Sequence, residues 1–564
     1  SKTYTCMKYL SLILLFLAFT IASGCDGSSG QKSTEQNQVS SSVIFDIVIL
    51  NGRVMDPETN FDAIRNVGIK DGKIALITEE QISGKESIDA SGHVVTAGFI
   101  ETHNHWQRAM GYKMMLRDGV TSTFDLEYGT VGTRVAEWYQ EREGNCQVNF
   151  GTASSHEAAR SLVLDGYKDV YDAPVAHFGR DPKYTKWSSY HPTLEEGNEV
   201  LKVVDKGLQD GAVGIGSTLG YMRDGASTRE VFELQKLGGR YGRQFGAHVR
   251  LTPGTYDQES NSAQEILANA AALGAPVLVC HYNNNGWDLV EELIAGLNER
   301  GINAWGEIYP YAAGQTNVNA VFLEPEIWVD QLGHKYEETM VDPVTGKFLT
   351  REDRDELIKR DPTHEIILYK MPKEDVLKWL KLKDATMAND AIFPEEADPD
   401  WDTPFDSLGN MHPRTPGARG LSLQLGRENN IPLMHTLTQL SYNSAKHLGD
   451  MGLKSMQERG RMQVGMVADV VILDPKTVTA TSSYEKGNAV TTGIPYVLVN
   501  GVVVVEKSKV LKVFPGKPIR FEPLANSLFE PVDPEKWKAK FYAPVESHVH
   551  GCLPHPDTHP EYFD

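Results

Sequence analysis

Residues 96–107, TAGFIETHNHWQ, begin as an apolar strand and then place His103 and His105 one residue apart. Because side chains alternate along a strand, both histidines project to the same side. Two neutral imidazoles on one side suit a divalent metal ion, with zinc foremost. Taken alone, the pair also allows a second interpretation, in which both histidines only form hydrogen bonds within a loop.

The composition limits the classes of protein to be considered. The 564 residues carry a net charge of −21, and 40% of them are apolar. This length predicts one large hydrophobic core and a second, smaller one. An acidic chain without a basic cluster argues against a nucleic-acid partner, because phosphate binding requires faces rich in Lys and Arg. Five cysteines without a CxxC pair exclude a disulfide scaffold and a zinc ribbon.

Residues 1–42 are expected to lie outside the fold. MKYLSLILLFLAFTIASGC, residues 7–25, contains an apolar run that is shorter than the roughly 20 residues of a membrane-spanning helix, and it is typical of a signal peptide. The small residues before Cys25 resemble a bacterial lipobox, which implies cleavage there and a lipid on Cys25. Ordinary secretory cleavage or an uncleaved anchor is the alternative. Residues 26–42 then form a flexible tether. The expected location is the bacterial cell envelope, either periplasmic or attached to a membrane through the lipid alone.

The remaining chain divides by its hydrophobic pattern. Residues 43–97 and 456–520 show short Val- and Ile-rich runs, which predict one small β-sandwich domain built from both flanking segments. Between them, residues 98–455 alternate strand-like and helix-like runs, which is typical of an α/β fold and predicts a TIM-like (β/α)8 barrel. Charged residues 325–383 form an insertion near the barrel mouth that could act as a lid. Residues 521–564 form an irregular C-terminal tail.

Further candidates follow later apolar runs, at the expected ends of barrel strands. These are Glu127 in GVTSTFDLEYG, His248 in RQFGAHVR, His281 in APVLVCHYN and Asp390 in DATMANDAIF. Each is a residue type that binds metal or moves protons. The C-terminal ends of barrel strands meet at one mouth, so the four side chains are expected to converge with the histidine pair. That expectation favours a metal centre over isolated polar groups.

The order HxH, acidic bridge, His, His, Asp, between split β segments, resembles the amidohydrolase superfamily. Other stretches are similar to its D-aminoacylase branch, the N-acyl-D-amino-acid deacylases: LQDGAVGIGSTLGY, YGRQFGAHVR, GAPVLVCHYNNNGW, GEIYPYAAGQT and HPRTPGARG. The resemblance extends over nearly all of residues 43–520. It implies a metal-dependent hydrolase barrel that holds one or two divalent metal ions, with zinc as the cofactor.

The resemblance also implies roles for individual side chains at matching positions. The implied metal ligands are His103, His105, Glu127, His248 and His281, and Asp390 is implied as the catalytic proton shuttle and a further ligand. Tyr309 and Arg414 would hold the carboxylate and carbonyl of the substrate. His156, with Arg160, matches a His-then-Arg motif near the site.

Two positions depart from the branch's pattern. Glu127 stands where the branch has a metal-bridging cysteine. A carboxylate can also bridge two cations, so a binuclear site is retained while the choice of metal stays open. Asn283 stands where the branch has a lysine, and a positive charge that would meet an acidic substrate group is missing. Asn283 is therefore a candidate substrate contact that would alter the acyl-group or side-chain preference.

The expected function is hydrolysis of the amide bond of small-molecule N-acyl-D-amino acids, N-acyl-D-glutamate among them. One alternative is another amidohydrolase that acts on a cyclic amide or a dipeptide. The cyclic-amide enzymes bridge their metals with a modified lysine, and no lysine ends the Glu127 strand. Another alternative is a metal-containing lipoprotein that binds acylated amino acids without turnover, but such a protein has no need of a proton shuttle at Asp390. The oligomeric state stays open.

Overall fold

The computed structural model describes residues 44–167, 185–222, 225–251, 261–392 and 401–542. The predicted signal peptide, lipobox and tether lie outside the described residues, and so does the tail beyond residue 542. In the part of the chain that the structure describes, no helix has both the length and the apolar character that crossing a membrane requires.

The described residues form strands in three sheets, together with helices that connect them. In chain order the strands are β1 (Phe45–Asp56), β2 (Phe61–Lys70), β3 (Lys73–Thr78), β4 (Gly84–Asp89), β5 (Val94–Ala97), β6 (Phe99–Glu101), β7 (Val120–Thr130), β8 (Asn149–Ser155), β9 (Gly214–Ser217), β10 (Gln244–Ala247), β11 (Val277–Val279), β12 (Ala304–Ile308), β13 (Gly314–Asn317), β14 (Met340–Asp342), β15 (Lys347–Phe348), β16 (Glu365–Leu368), β17 (Thr386–Met387), β18 (Val470–Leu473), β19 (Tyr496–Val499), β20 (Val502–Glu506) and β21 (Lys509–Val510).

In the same residues the helices are α1 (Ala109–Arg117), α2 (Val135–Arg142), α3 (His156–Leu164), α4 (Lys186–Ser189), α5 (Leu194–Gln209), α6 (Thr228–Arg240), α7 (Asn261–Leu273), α8 (Trp287–Glu299), α9 (Pro325–Trp328), α10 (Tyr336–Thr339), α11 (Arg351–Arg360), α12 (Val376–Trp379), α13 (Arg414–Glu428), α14 (Leu433–Leu437), α15 (Asn443–Asp450), α16 (Lys454–Gln457) and α17 (Pro534–Lys538).

The central sheet is the barrel. Its eight strands run in the order β6-β7-β8-β9-β10-β11-β12-β17, and every neighbouring pair is parallel. Strands β7 and β8 are buried at every position, as expected for strands covered by helices on one face and by core side chains on the other. Helices α2, α6, α7 and α8 connect successive strands, so the chain has the predicted (β/α)8 architecture.

The barrel closes just beyond the ends of its two outer strands, β6 and β17. Asn104 pairs with Ala391 in a parallel bridge. The backbone N–H of His105 donates to the Ala391 carbonyl at 3.0 Å, and the Ala391 N–H donates to the His103 carbonyl at 3.3 Å. Closure of the barrel therefore uses the His-x-His segment and the residue that follows Asp390, which brings these side chains together.

A buried arginine from α13 holds the same seam. The Arg419 guanidinium donates to the Ile100 carbonyl of β6 at 2.9 Å and to the Met387 carbonyl of β17 at 2.8 Å, and it forms an ion pair with Glu101. Glu101 in turn accepts the backbone N–H of His103 at 2.7 Å. Burial raises the pKa of Glu101 to about 7, against the opposing charge of Arg419. Arg419 thus ties both outer strands to the start of the histidine pair.

Both flanking segments contribute to one further sheet. Its order is β21-β20-β19-β18-β5-β1-β2-β3, and β4 also pairs with β1. The two segments meet where β5 and β18 pair antiparallel, with Val470 opposite Ala97 and Leu473 opposite Val94. Strand β5 is separated from barrel strand β6 by Gly98 alone, so the chain passes directly from this sheet into the barrel. Together, the barrel and this sheet confirm the predicted fold class.

A third sheet lies between barrel strands β12 and β17 in the sequence. Its strands β14, β15 and β16 fall within residues 325–383, the region predicted as an insertion, whereas β13 precedes that region. The order of the sheet is β13-β16-β14-β15, and helices α9 to α12 accompany it. Strands β13 and β16 pair antiparallel, with Gly314 opposite Leu368. Both of these residues line a pocket at the barrel mouth, so this sheet, with Leu368 from the insertion, forms part of the pocket wall.

We expect Arg419→Met to destabilise the barrel strongly. Removal of the guanidinium leaves Glu101 buried and unpaired, and loss of one partner from a buried ion pair costs about 3–5 kcal/mol. Thermal unfolding of the wild type and the variant measures the change. Arg300→Met, at an exposed position after α8, is the matched control. Equal melting temperatures for the Arg419 and Arg300 variants would contradict the proposed role of Arg419.

Candidate active site

The first group of possible metal ligands is formed at the closing seam and the end of β7. It comprises His103, His105, Glu127 and Asp390, which are all buried. The Nε2 atom of His103 lies 3.0 Å from His105 Nε2 and 3.0 Å from Glu127 Oε2. Asp390 Oδ1 lies 3.3 Å from His103 Nε2 and 3.4 Å from His105 Nε2. Two imidazole nitrogens and two carboxylate oxygens therefore face one point.

A second group uses the other oxygen of the same glutamate. Glu127 Oε1 lies 3.2 Å from His248 Nδ1 and 2.8 Å from His281 Nε2. His248 follows β10 and His281 follows β11, so both project from the C-terminal ends of neighbouring barrel strands. Each Glu127 oxygen thus faces its own pair of histidines, which is the arrangement expected of a carboxylate that bridges two cations.

Two carboxylates behind the first group orient its histidines. His103 Nδ1 is hydrogen-bonded to Glu307 Oε1, and His105 Nδ1 is hydrogen-bonded to Asp125 Oδ2 at 2.9 Å. Glu307 is held by the Thr102 hydroxyl, which donates to it at 2.7 Å. A proton on each Nδ1 leaves each Nε2 lone pair free for a metal ion, and such carboxylate partners are typical of metal-binding histidines.

Sequence reasoning did not select Glu307 or Asp125. A weak signal was present, since Asp125 precedes Glu127 by two residues and Glu307 precedes Tyr309 by two. Side chains two apart on a strand share a side. That spacing points both carboxylates toward the barrel interior, where the selected residues also lie.

The charges of the cluster shift its protonation equilibria. Burial alone would lower the pKa of His103, but the charges of Glu127 and Asp390 outweigh burial and raise that pKa well above its usual value. For His105, the charge of the Asp125 carboxylate likewise outweighs burial and raises the pKa well above its usual value. Conversely, Arg414 and His103 overcome burial and hold the pKa of Asp390 below its usual range. The cluster therefore has a strong demand for positive charge, which a divalent cation would meet.

Two of the converging residues have strained backbones. His281 has φ of 30° and Asp390 has φ of 46°, in the left-handed region that residues other than glycine seldom adopt. Such conformations persist only where the surrounding structure enforces them, and they concentrate at functional sites. The strained backbones of His281 and Asp390 therefore mark as functional the same place where the donor atoms fit one or two divalent cations.

Arg414 and Tyr309 lie on the substrate side of the cluster. The Nη2 atom of Arg414 lies 2.8 Å from Asp390 Oδ2, and its guanidinium lies over the Tyr309 ring at 4.7 Å from the centroid. The Nε and Nη1 atoms of Arg414 are buried and make no hydrogen bond within the described residues. His412 fixes the turn before Arg414 by accepting its backbone N–H at 3.0 Å. The site thus presents a buried guanidinium with unused donors.

These side chains open into a pocket at the barrel mouth. Its apolar wall is formed by Val249, Leu251, Ala263, Val279, Phe322, Leu368 and Met371. Its polar groups include His248, His281, Tyr309, Lys370, Asp390 and Arg414. The mixture of apolar walls with a few convergent polar groups is typical of a small-molecule site.

His156 does not line this pocket. Its Nδ1 accepts the Ser217 hydroxyl at 2.7 Å, and its Nε2 lies 2.8 Å from Glu230, which also pairs with Arg160 at 2.7 Å. Against burial, His156 and Arg160 lower the pKa of Glu230 to about 2. The His-then-Arg motif therefore forms a buried structural network between α3 and α6.

Asn283 does not line the pocket either. Its side-chain amide donates to the Tyr309 carbonyl at 3.1 Å and to the Tyr311 carbonyl at 3.4 Å, and its side-chain oxygen accepts the Tyr309 N–H at 3.4 Å. Both ends of the amide are thus used by the backbone that follows β12. Asn283 supports the position of Tyr309, and the structure gives it no direct contact with a substrate in this pocket.

No family model matches the chain, but two curated proteins are similar to it over most of its length. The chain is 23% identical over 508 residues to an N-acyl-D-glutamate deacylase of Alcaligenes xylosoxydans xylosoxydans, covering 82% of this chain and 93% of the relative. It is 22% identical over 504 residues to a D-aminoacylase of the same organism, covering 82% of this chain and 94% of the relative.

One similar solved structure is that of N-acyl-D-glutamate deacylase from Bordetella bronchiseptica in complex with zinc and a phosphonate inhibitor. The match has a TM-score of 0.67 and 20% sequence identity, and it covers 85% of this chain and all of that one. At this identity the match shows the shared fold. The resemblance to the D-aminoacylase branch that the sequence motifs indicated is confirmed by the two relatives and by this structure.

We expect Glu307→Gln to weaken zinc binding while leaving the fold intact. The amide keeps the volume of the side chain and its contact with Thr102, but it no longer supplies the charge that orients His103. Loss of such a partner typically lowers metal affinity by about 10- to 100-fold. Competition with a chromophoric chelator measures the affinity. Glu374→Gln, at an exposed position, is the control; equal zinc affinities in both variants would rule out the orienting role.

Proposed function

We propose that this protein is a zinc-dependent amidohydrolase that cleaves the amide bond of N-acyl-D-amino acids and releases a carboxylate and the free D-amino acid. The observation that carries the proposal is the division of the two Glu127 oxygens between two histidine pairs, with Asp390 beside them and Arg414 facing the same pocket. The zinc would be held by His103, His105, Glu127 and Asp390, and a second divalent ion by Glu127, His248 and His281. When bound there, a divalent ion would supply the Lewis acidity that lowers the pKa of water to about 7 and polarises a carbonyl group.

Asp390 is placed to move the proton that amide hydrolysis requires. Because its pKa is held below the usual range, it is ionised at neutral pH and can accept a proton from the attacking water. It can then donate that proton to the leaving nitrogen, which must be protonated before the carbon–nitrogen bond breaks. Its ion pair with Arg414 fixes the carboxylate between the ligand cluster and the pocket.

Arg414 and Tyr309 are placed to bind and orient the substrate. The buried Nη1 atom of Arg414, which makes no hydrogen bond within the described residues, can donate to the α-carboxylate of an N-acyl amino acid. Burial raises the pKa of Tyr309, so its hydroxyl stays protonated and can donate to the oxyanion that develops on the acyl carbonyl. Fixing the carboxylate on one side and the carbonyl on the other orients the scissile bond.

The direct test is release of free amine from N-acetyl-D- and N-acetyl-L-amino acids by the zinc-loaded chain, detected with a ninhydrin-type reagent. We expect release from D-substrates, its loss after chelation, and its return when zinc is added. Release that persists after chelation would overturn metal dependence. Release from L-substrates alone would overturn the proposed stereochemistry, and no release from any acyl amide would favour a binding protein.

Asp390→Asn is the matched variant in the same experiment. It keeps the size of the side chain and a ligand oxygen but removes the proton acceptor. General acid–base catalysis contributes about 10²- to 10⁴-fold, so turnover should fall by that factor while bound zinc is retained. Turnover like that of the wild type in folded, zinc-loaded Asp390→Asn would show that another group moves the proton.

We also propose that the protein is exported and attached to a membrane of the cell envelope by a lipid on Cys25. The support is sequence alone: a short apolar run, then small residues directly before Cys25. Expression in a bacterial host with Cys25→Ser as the comparison tests this, by fractionation and incorporation of labelled fatty acid. The wild type should be labelled and found with membranes, and the variant should be neither. Absence of label on the wild type would contradict the lipid anchor.

A further inference from the structure

A third group of metal-binding side chains lies on the opposite side of His103 from the first group. It comprises His103, Cys280 and Glu307, which are all buried, and one ligand atom from each lies within 4.8 Å of the other two. The His103 atom that contacts Glu307 is Nδ1, whereas Nε2 faces Glu127 and Asp390. The third group therefore brings together an imidazole nitrogen, a carboxylate oxygen and a sulfur.

The barrel strands fix the thiol and the carboxylate beside each other. Cys280 directly follows β11, and its backbone N–H donates to the Ala247 carbonyl of β10 at 3.1 Å. Leu278 of β11 pairs with Trp305 of β12. Cys280 and Glu307 each lie two residues after one member of this pair, so both side chains project into the barrel interior with it. Adjacent strands thus hold both donors in place.

The thiol lies in a region of negative charge. The charges of Glu307, Glu127 and Asp390 all act on Cys280. Buried negative charge is costly without a positive partner, and a cation beside the sulfur would supply one at short range. The electrostatic surroundings of Cys280 therefore favour a bound cation.

A structural role is the ordinary expectation for a buried cysteine, which usually acts as a small apolar side chain. The apolar neighbours Leu278 and Trp305 agree with that role. Two observations go beyond it. The thiol converges with an imidazole and a carboxylate, and Cys280 lines the pocket together with His281 and Asp390, so an ion in the pocket has a path to the sulfur.

The donor atoms of the third group suit different ions from those of the first two groups. The first two groups contain only histidines and carboxylates. Sulfur donors favour soft cations, and imidazole also binds them. The third group should therefore prefer a thiophilic divalent ion, for which Cd²⁺ is a convenient probe.

We propose that His103 Nδ1, Cys280 and Glu307 form a third cation site, selective for thiophilic divalent ions, and that an ion bound there inhibits the enzyme. The ion takes the place of the proton between His103 and Glu307 and of the thiol proton, and both protons pass to the buffer. Glu307 then no longer orients His103 toward the first group, so zinc affinity and turnover fall. The inhibition rests on the proposed function, whereas the cation site needs no substrate.

Titration of the zinc-loaded full chain with cadmium chloride tests the site, followed by the ultraviolet charge-transfer absorption of a cadmium–sulfur bond. Cys280→Ser removes the thiol, and Cys146→Ser removes the other buried cysteine of the described residues. Cysteines elsewhere contribute equally to every sample. We expect the wild type and Cys146→Ser to gain the same absorption, and Cys280→Ser to lack the part that depends on Cys280. Cys280→Ala is the second variant, since alanine leaves no polar group in the apolar interior.

Glu307→Gln shows whether the cysteine acts alone. The amide removes a charged ligand, so more cadmium should be needed for the same absorption. An unchanged cadmium affinity in Glu307→Gln would overturn the three-residue site. So would equal absorption in the wild type and both Cys280 variants, or cadmium that replaces zinc without any cadmium–sulfur absorption.

Turnover of an N-acetyl-D-amino acid in the same titration tests the inhibition. The cadmium concentration that halves turnover should rise by at least about tenfold in Cys280→Ser and stay unchanged in Cys146→Ser, because loss of one partner lowers metal affinity by that much. Equal inhibition of both variants would overturn the inhibitory role. Absence of turnover by the wild type, with absorption that still depends on Cys280, would overturn the proposed function but leave the cation site.

Discussion

The Glu127 carboxylate, held between two pairs of imidazoles, is the interaction on which the rest of the site depends. Around it the fold buries three further carboxylates within bonding distance of the same histidines: Asp125, Glu307 and Asp390. Burial of so much negative charge is unfavourable without compensating positive charge. Divalent cations held by Glu127 and the histidines would provide it, so the arrangement of the barrel mouth and the capacity to bind metal have one physical origin.

The fold supplies this arrangement through the way the barrel closes. The backbone bridge between the His-x-His segment and Ala391 sets Asp390 against the first two histidines, and Arg419 holds both outer strands from behind. The third sheet then adds a wall above the cluster. The barrel therefore determines the chemistry at the bottom of the pocket, while the insertion determines what else the pocket can hold.

Much of this could be predicted from the sequence, for a specific reason. His103, Glu127, His248, His281 and Asp390 each interrupt or end an apolar run, and the ends of parallel strands meet, so residues far apart in sequence were expected to converge. Other features left no such mark. Asn283 follows the same kind of run, but its amide turns to the backbone, and the pattern of residue types does not specify that choice. The carboxylate of Glu307 lies inside a run selected for Tyr309 and was overlooked. Lys370 lines the pocket but belongs to an insertion whose strands are too short to give a clear period, so the sequence pattern does not mark it.

The measurement that tests the central claim most directly is anomalous diffraction at the zinc edge from crystals of the zinc-loaded protein. The account predicts at least one peak in contact with Glu127 and with two of the four histidines, and a second peak, where present, at the other Glu127 oxygen. A fully ordered site that shows no anomalous peak, with the imidazoles bonded only to carboxylates, would contradict it. So would zinc bound only at a place remote from Glu127.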